Sequence, residues 1–189
     1  MLEREFRDVL RAAARGDEAA FARLWRDAHP PLLRYLRVVA GEGAEDVAAE
    51  VWLEVARRLA RFRGGEQEFR GWLFTVARRR IADQRRHSRR HPVWLTGDDA
   101  ELERPAADDT ATEALDNLTT EAALALIATL PQQQAEVIVL RVIAGLDVRQ
   151  VAQVTGKHPG AVRAAAHRGL RTLATRLSAP ADHERGVTR

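Results

Sequence analysis

The sequence predicts an all-α protein with two small helical domains joined by a flexible linker. Apolar residues recur at three- and four-residue spacing through most of the 189 positions, which is the period of amphipathic helices. Alanine is frequent, whereas there are only five Phe and one Tyr, a balance that favours helices over sheets. One acidic stretch near the middle, rich in Ala, Thr, Gly and Pro, interrupts the periodicity and predicts the linker.

Composition limits the function classes. A hydrophobic share of 46% with 30% charged residues is ordinary for a soluble protein, and a net charge of +3 is weak support for a nucleic-acid partner, so the distribution of charge has to decide. The absence of cysteine excludes disulfides and thiol chemistry, and no apolar run is long enough to cross a bilayer, so we expect a cytoplasmic protein. No metal-ligand cluster, Gly-rich phosphate loop or nucleophile constellation stands out, so we expect no enzyme activity, cofactor or metal.

The first three helical stretches precede residue 62. Periodicity predicts a helix from Glu3 to Ala14, and Gly16-Asp17 closes it and caps the next. The pattern continues to Pro30-Pro31, which must start or bend a helix, and then on to Gly41. A third helix over Ala44 to Phe62 carries acids at its N-terminus and arginines near its C-terminus, which suits the helix dipole.

Trp52 in this third helix leaves two interpretations open. The ring lies beside the apolar stripe and near Glu50 and Glu54, where aromatic residues are often interface anchors. A place in the core is equally compatible with the spacing.

Arginines crowd the following helix, which begins at Gly71 after the glycine-containing break Arg63 to Phe69. Such a helix repels itself, so a partner dense in negative charge is the natural explanation. Aromatic residues are interleaved with the cations, and this combination suits an unpaired nucleic-acid strand, which needs stacking and backbone neutralisation. The alternative is a solubilising face. The aromatic residues are Phe62, Phe69, Trp72 and Phe74.

Residues 92–114 form the predicted acidic linker, which is either a solvated spacer or a cover for the basic helix. Periodicity resumes at Leu115, Pro131 opens a further helix that Gly145 closes, and residues 179–189 form a polar tail. These positions predict a second all-α domain over residues 115–178.

A helix-turn-helix is predicted from Leu146 to Leu173. Gly156 supplies a left-handed turn after a short amphipathic helix, and a second helix starts near His158 with Pro159 in its first turn. On that second helix apolar and cationic residues occupy separate faces, which is typical of a recognition helix in the major groove. An ordinary helical hairpin is the alternative. The packing face is Val162, Ala166, Leu170 and Leu173, and the cationic face is Arg163, His167 and Arg171.

Taken together, these segments resemble the extracytoplasmic-function (ECF) sigma factors, the group IV members of the sigma-70 family of bacterial transcription initiation factors. Ala44 to Val55 resembles the helix that docks on the clamp helices of the RNA polymerase β′ subunit, although Ala49 stands where Gln is usual. Arg61 to Arg86 resembles the promoter-melting and −10 segment, with Arg79 in place of the usual Asn. Residues 130–173 resemble the −35 domain, in which alanines replace common contact residues at 161, 164 and 165.

The resemblance implies a region-2 domain over residues 1–91 and a region-4 domain over 115–178. It implies core RNA polymerase, through its β′ clamp helices and β flap, and promoter DNA as partners, and an anti-sigma factor as an inhibitor. The implied polymerase-binding residues are Glu45, Asp46, Glu50, Trp52 and Leu53. The implied −10 residues are Arg61, Phe62, Arg63, Glu66, Phe69, Trp72, Arg78, Arg79, Arg85 and Arg86. The implied −35 residues are Lys157, His158, Arg163, His167, Arg168 and Arg171, with Arg163 a candidate for guanine.

Two functions remain open at this point. The chain is either a promoter-specificity subunit that works only on core polymerase, or a free-standing helix-turn-helix regulator. The requirement for core polymerase in DNA recognition discriminates between them.

Overall fold

The computed structural model describes residues 3–90 and 111–178, and all regular structure in these two ranges is helical. Eight α-helices follow one another, with short 3-10 turns at Gly41–Gly43 and Leu59–Arg61. They are α1 Glu3–Ala14, α2 Glu18–Ala40, α3 Ala44–Arg58, α4 Glu66–Arg90, α5 Ala111–Ala128, α6 Gln132–Val142, α7 Val148–Thr155 and α8 Pro159–Ser178. No helix in the described ranges is long and apolar enough to span a membrane.

The start of α2 confirms the predicted cap. The Asp17 carboxylate accepts the backbone N–H of Ala20 at 2.9 Å, which satisfies a donor that the first turn leaves open. The helix then runs without interruption through Pro30 and Pro31 to Ala40, so neither proline ends it. Apolar residues on both sides of the prolines, such as Ala28 and Leu32, are buried in the same core, and this packing outweighs the missing backbone donors.

Two helix starts lie earlier than the periodicity predicts. Helix α4 begins at Glu66, inside the predicted break, where Glu68 accepts the N–H of Gly65 at 2.8 Å. Helix α5 begins at Ala111, four residues before Leu115. The remainder of the predicted linker, 92–110, and the tail, 179–189, lie outside the described residues.

The helices before and after the gap share one hydrophobic core. In the first half, α1 packs on α2, and α3 packs on both α2 and α4. In the second half, α6, α7 and α8 pack on one another. The halves also meet, because α2 contacts α5 and α6 while α4 contacts α7. The buried apolar residues of both halves therefore form a single cluster.

Candidate nucleic-acid and polymerase interfaces

The helix-turn-helix forms as the sequence predicts. Asp147 and Gln150 make a capping box at the start of α7, each side chain accepting the other residue's backbone N–H at 2.8 Å. Gly156 has φ 67° and ψ 29°, the left-handed conformation that ends α7. At the start of α8, His158 Nδ1 accepts the N–H of Gly160 at 3.1 Å, so the side chain of His158 caps this helix. The turn is thereby held at both ends.

The cationic side of α8 is open to solvent. His158, Arg163, His167, Arg168 and Arg171 are exposed, and Lys157 in the turn is half-buried. Val162 and Ala165 are buried against the rest of the domain. One placement differs from prediction, because Leu170 is 53% exposed instead of packed. The residue that contacts α6 at this point is Gly169, where an added Cβ would lie 2.4 Å from Ile138 Cδ1. Because the close contact is made by glycine, the neighbouring Leu170 lies outside it.

An aromatic cluster lies at the start of α4. Phe62 and Trp72 stack with ring centroids 5.0 Å apart and an interplanar angle of 26°, and both rings are partly exposed. Phe69 is only 1% exposed, because its ring packs between Phe62 and Phe6. Of the predicted −10 aromatic residues, Phe62 and Trp72 are therefore on the surface, and Phe69 lies beneath them. Phe74, one of the four interleaved aromatic residues, is likewise buried.

The arginines of α4 divide between two sides of the helix. Arg79, Arg85 and Arg86 are exposed, and Arg86 pairs with Asp83 on the same helix. Arg78 turns toward the second half of the chain, where its Nε donates to Glu136 Oε1 at 2.9 Å. Arg85 donates to the backbone carbonyl of Val39 at 2.6 Å. The predicted −10 set thus does not form a single open face in this structure.

The remaining predicted −10 residues lie just before α4 and at its first position. Arg61 and Arg63 are exposed, and Arg63 donates to the carbonyls of Ala60 and Phe62 at 2.9 and 2.7 Å, which folds the loop over its own backbone. Glu66 pairs with Arg70 at 2.9 Å. The loop therefore presents cations next to the Phe62 ring.

Acidic side chains and an exposed leucine mark the outer side of α3. Glu45, Asp46 and Glu50 are exposed, and Leu53 is 56% exposed. Glu45 is in an ion pair with Arg37 at 3.2 Å. This side of α3 therefore presents three carboxylates together with one apolar side chain.

Trp52 is buried in the core of the first half. Its ring is 7% exposed and stands edge-on against Phe21, and its indole N–H donates to His29 Nδ1 at 3.2 Å. The bond requires an unprotonated Nδ1, and burial lowers the pKa of His29, which favours the neutral ring. His29 in turn stacks on the exposed ring of Trp25 with centroids 4.3 Å apart. The structure therefore buries Trp52 in the core, and its role as a polymerase contact stays a prediction.

Buried Glu54 connects α3 to α4. Its side chain is 6% exposed and binds Arg80 at 2.6 Å and Arg58 at 2.9 Å. Removing one partner of such a buried pair leaves an uncompensated charge and is strongly destabilising. The acidic side of α3 and the arginine-rich helix α4 are thus held in a fixed relation.

The sequence analysis missed a polar network between the halves. Glu136 of α6, only 7% exposed, accepts from Arg78 and from the hydroxyl of Tyr35, at 3.3 Å for the latter. Tyr35 is fully buried, and burial, reinforced by the Glu136 charge, raises its pKa well above the usual value, so it stays a donor. The sequence signal for this network was a glutamate inside the otherwise apolar run AEVIVL, because a residue in such a run is buried and its charge then needs a partner.

Comparison with known proteins identifies both halves. The model for sigma-70 region 2 matches residues 20–91, and that for sigma-70 region 4 matches residues 120–173. Among the described residues no cluster of His, Asp and Glu could hold a metal ion.

Curated relatives match over most of the chain. The ECF RNA polymerase sigma factor BldN of Streptomyces coelicolor is 34% identical over 90% of this chain, which spans 65% of BldN. ShbA of Streptomyces griseus, also an ECF RNA polymerase sigma factor, is 34% identical over 87% of this chain and 91% of its own length. SigD of Mycobacterium tuberculosis is 30% identical over 93% of this chain and 85% of its own.

Two solved structures share the fold. CnrH, in complex with the cytosolic domain of CnrY, has a TM-score of 0.61 at 22% identity and covers 93% of this chain and 98% of its own. The sigma factor RpoE of Bartonella quintana, in complex with the anti-sigma factor NepR, has a TM-score of 0.63 at 20% identity, covering 85% and 98%.

Proposed function

The chain belongs to the ECF sigma factors of the sigma-70 family, and from that premise we propose how its parts share the work of transcription initiation. As a sigma factor it is a non-enzymatic subunit that directs RNA polymerase to promoters. This conclusion rests on one observation above all: region-2 and region-4 segments both occur, in that order, in a chain whose relatives match along most of their length. A free-standing regulator would have no need of region 2.

The first proposal concerns the domains. Residues 1–91 form the region-2 domain for core binding, −10 recognition and melting, and residues 115–178 form the region-4 domain for −35 recognition. Residues 92–114 connect them, and 179–189 are a tail. The packing of α1 to α4 around one part of the core and of α6 to α8 around another supports this division.

Helix α8 is proposed to read the −35 element from the major groove. The exposed basic side chains near its N-terminus support this, because that end of a recognition helix meets base edges. Arg163, one turn into α8, is the proposed guanine reader, and the others position the helix on phosphates. Those others are Lys157, His158, His167, Arg168 and Arg171.

The start of α4 and the loop before it are proposed to hold the melted −10 strand. The half-exposed stack of Phe62 on Trp72 offers a face to an unpaired base, and base–aromatic stacking contributes about 1–3 kcal/mol per base. Arg61 and Arg63 lie beside it for the backbone. Phe69 supports this platform from below.

The outer side of α3 is proposed to bind the β′ clamp helices. Glu45, Asp46 and Glu50 supply charge complementarity and Leu53 an apolar centre. Trp52 then acts on this surface only through the packing of α3. Region 4 is proposed to engage the β flap, as in the family.

We further propose that the protein works in the cytoplasm, where core polymerase is found, and that an anti-sigma factor inhibits it. RpoE of Bartonella quintana is bound to the anti-sigma factor NepR, which supports the extension to this chain. Purification of the native protein without a stoichiometric inhibitor, together with full activity in extracts, contradicts the anti-sigma proposal.

A pull-down with bacterial core RNA polymerase, followed by run-off transcription from a promoter library, tests the main proposal. We expect the chain to bind core and to select a subset of promoters that share two elements. Arg163→Ala is the matched variant, because it should retain core binding and change only promoter choice. Sequence-specific DNA binding without core, and no initiation with it, contradicts the proposal.

A further inference from the structure

The outer face of α1 carries a row of arginines. They follow one another at spacings of three and four residues, so they lie on one side of the helix, and all of them are exposed. The opposite side of α1, with Phe6, Leu10 and Ala13, is buried. Like charges at this spacing destabilise a helix, so the stability of α1 does not account for them. The arginine row consists of Arg4, Arg7, Arg11 and Arg15.

The acids next to the arginine row, Glu5 and Asp8, both form ion pairs. Glu5 pairs with Arg23 of α2, and Asp8 pairs with Arg11. The Asp8–Arg11 pair is exposed on both sides, and an exposed ion pair contributes at most about 1 kcal/mol. A phosphate can therefore compete with Asp8 for the guanidinium of Arg11, and the row stays predominantly positive.

Helix α1 lies beside the surface that we propose to hold the −10 strand. It packs on the 3-10 turn Leu59–Arg61, which leads into the loop before α4. Phe6 of α1 contacts Phe69 with ring centroids 5.6 Å apart, and Phe69 in turn supports the Phe62–Trp72 stack. A strand with a base on this stack can therefore continue from the cations of the loop onto α1.

The arginine row precedes the region-2 match, which begins at residue 20. Its function therefore has to follow from its own chemistry. A guanidinium presents a planar fork of donors that fits the oxygens of a phosphate. From Arg4 to Arg15 the row spans roughly 16 Å at the rise of an α-helix, which is the length of a few nucleotides.

From these observations we infer that the arginine row binds the sugar-phosphate backbone of the melted promoter strand, on the stretch next to the base held at the Phe62–Trp72 stack. This inference rests on the proposed −10 role of that stack. Phosphate contacts carry no sequence information, so the row adds affinity for the single strand without changing which promoter is chosen.

Binding of single-stranded DNA to the holoenzyme, which is core polymerase with the full-length chain, tests the inference. One fluorescent strand contains only the −10 element found by the promoter library, and a second is extended by about six nucleotides at either end, which exceeds the length of the row. Arg4→Gln with Arg11→Gln removes two cations and keeps good helix formers. Arg149→Gln with Arg176→Gln removes two exposed arginines from the second half and is the matched control.

We expect the wild-type holoenzyme to bind the extended strand more tightly than the short one, and Arg4→Gln with Arg11→Gln to lose this gain. Each phosphate that a cation neutralises on a single strand contributes about 0.7 to the slope of log affinity against log salt concentration. The slope for the extended strand should therefore become shallower by roughly 1.4 in this variant. Asp8→Asn, which removes the competing carboxylate, should strengthen binding of the extended strand.

Three outcomes overturn the inference. If Arg4→Gln with Arg11→Gln changes the slope no more than the control variant does, the row does not contact the strand. If the variant loses core binding in the pull-down, the row binds polymerase instead. If it weakens binding of double-stranded DNA alone, the row does not bind the melted strand. Failure of the wild-type holoenzyme to bind even the short strand is a separate result, because it contradicts the proposed −10 role of the stack itself.

Discussion

Arg163 is the exposed side chain of α8 whose loss should change which promoters are read. A bidentate contact from arginine to guanine discriminates against other bases by about 1–3 kcal/mol. We therefore expect Arg163→Ala to weaken holoenzyme binding by that amount and to relax preference at one −35 position, measured by binding selection from a randomised −35 element. Arg176→Ala, in the last turn of α8, is the control and should leave preference unchanged. A uniform loss over all sequences assigns Arg163 to phosphate instead.

His29 should make stability depend on pH. Burial lowers its pKa below the ordinary 6.5, so the folded state binds this proton less readily than the unfolded chain does. At pH values well above 6.5 both states are neutral and His29 has no effect, whereas stability is lost as the pH falls from 6.5 through the lower folded value.

We expect urea unfolding between about pH 7.5 and 5.5 to show a smaller loss of stability for His29→Asn than for the wild type. The asparagine Oδ1 can take the place of Nδ1 as acceptor for Trp52. His167→Asn, an exposed histidine, is the control and should retain the wild-type pH dependence. Equal slopes for wild type and His29→Asn contradict the assignment.

At single positions the sequence predicted only in part which side chains are buried. Periodicity assigns a residue to a helix face, but Phe69 and Leu170 show that it does not say which large side chain the neighbouring helix accepts. Phe69 is buried because Phe6 of α1 packs on it, and Leu170 is exposed because Gly169 takes the close contact. Both facts depend on residues distant in the sequence.

The turn of the helix-turn-helix depends on Gly156 at the scale of one element. Its φ of 67° lies in the left-handed region, where a Cβ costs about 1–2 kcal/mol, although the space around it is open. We expect Gly156→Ala to lower the free energy of unfolding by about that amount, and Gly156→Asn to lower it less, since Asn tolerates this conformation. Urea unfolding of the three proteins gives the order. Equal stability of the alanine variant contradicts the expected strain.

Helix termini were more predictable than helix continuity. Asp17, Gly156 and His158 act locally through their own backbone neighbourhoods, and the structure places each cap or turn where the residue types indicate. The passage of α2 through Pro30 and Pro31 was not predictable, because burial on both sides of the prolines decides it.

At the scale of the whole molecule, the shared core should make the halves unfold together. All four tryptophans lie at or before residue 94, so fluorescence reports on the first half, whereas circular dichroism reports on the helices of both. We expect the two signals to coincide in urea for the wild type and to separate in Glu136→Lys, which uncouples the halves. Glu42→Lys, a charge reversal at an exposed position before α3, should keep them coincident. Separate transitions in the wild type contradict a common core.

The meeting of the halves could not be predicted from the sequence. The apolar residues that join them have the same spacing as those inside each half, and Glu136 has no partner within its own helix. Only the three-dimensional arrangement brings Tyr35 and Arg78 to it.

The length of chain between the end of α4 at Arg90 and the start of α5 at Ala111 limits how far apart the two promoter elements can be. The covalent chain over residues 91–110 can reach roughly 70 Å at full extension. Duplex DNA rises about 3.4 Å per base pair along one strand, so that length corresponds to roughly 20 base pairs. The length of this segment therefore sets an upper limit on promoter spacing. One molecule cannot occupy both elements at the same time if their spacing draws the ends of these helices farther apart than this limit.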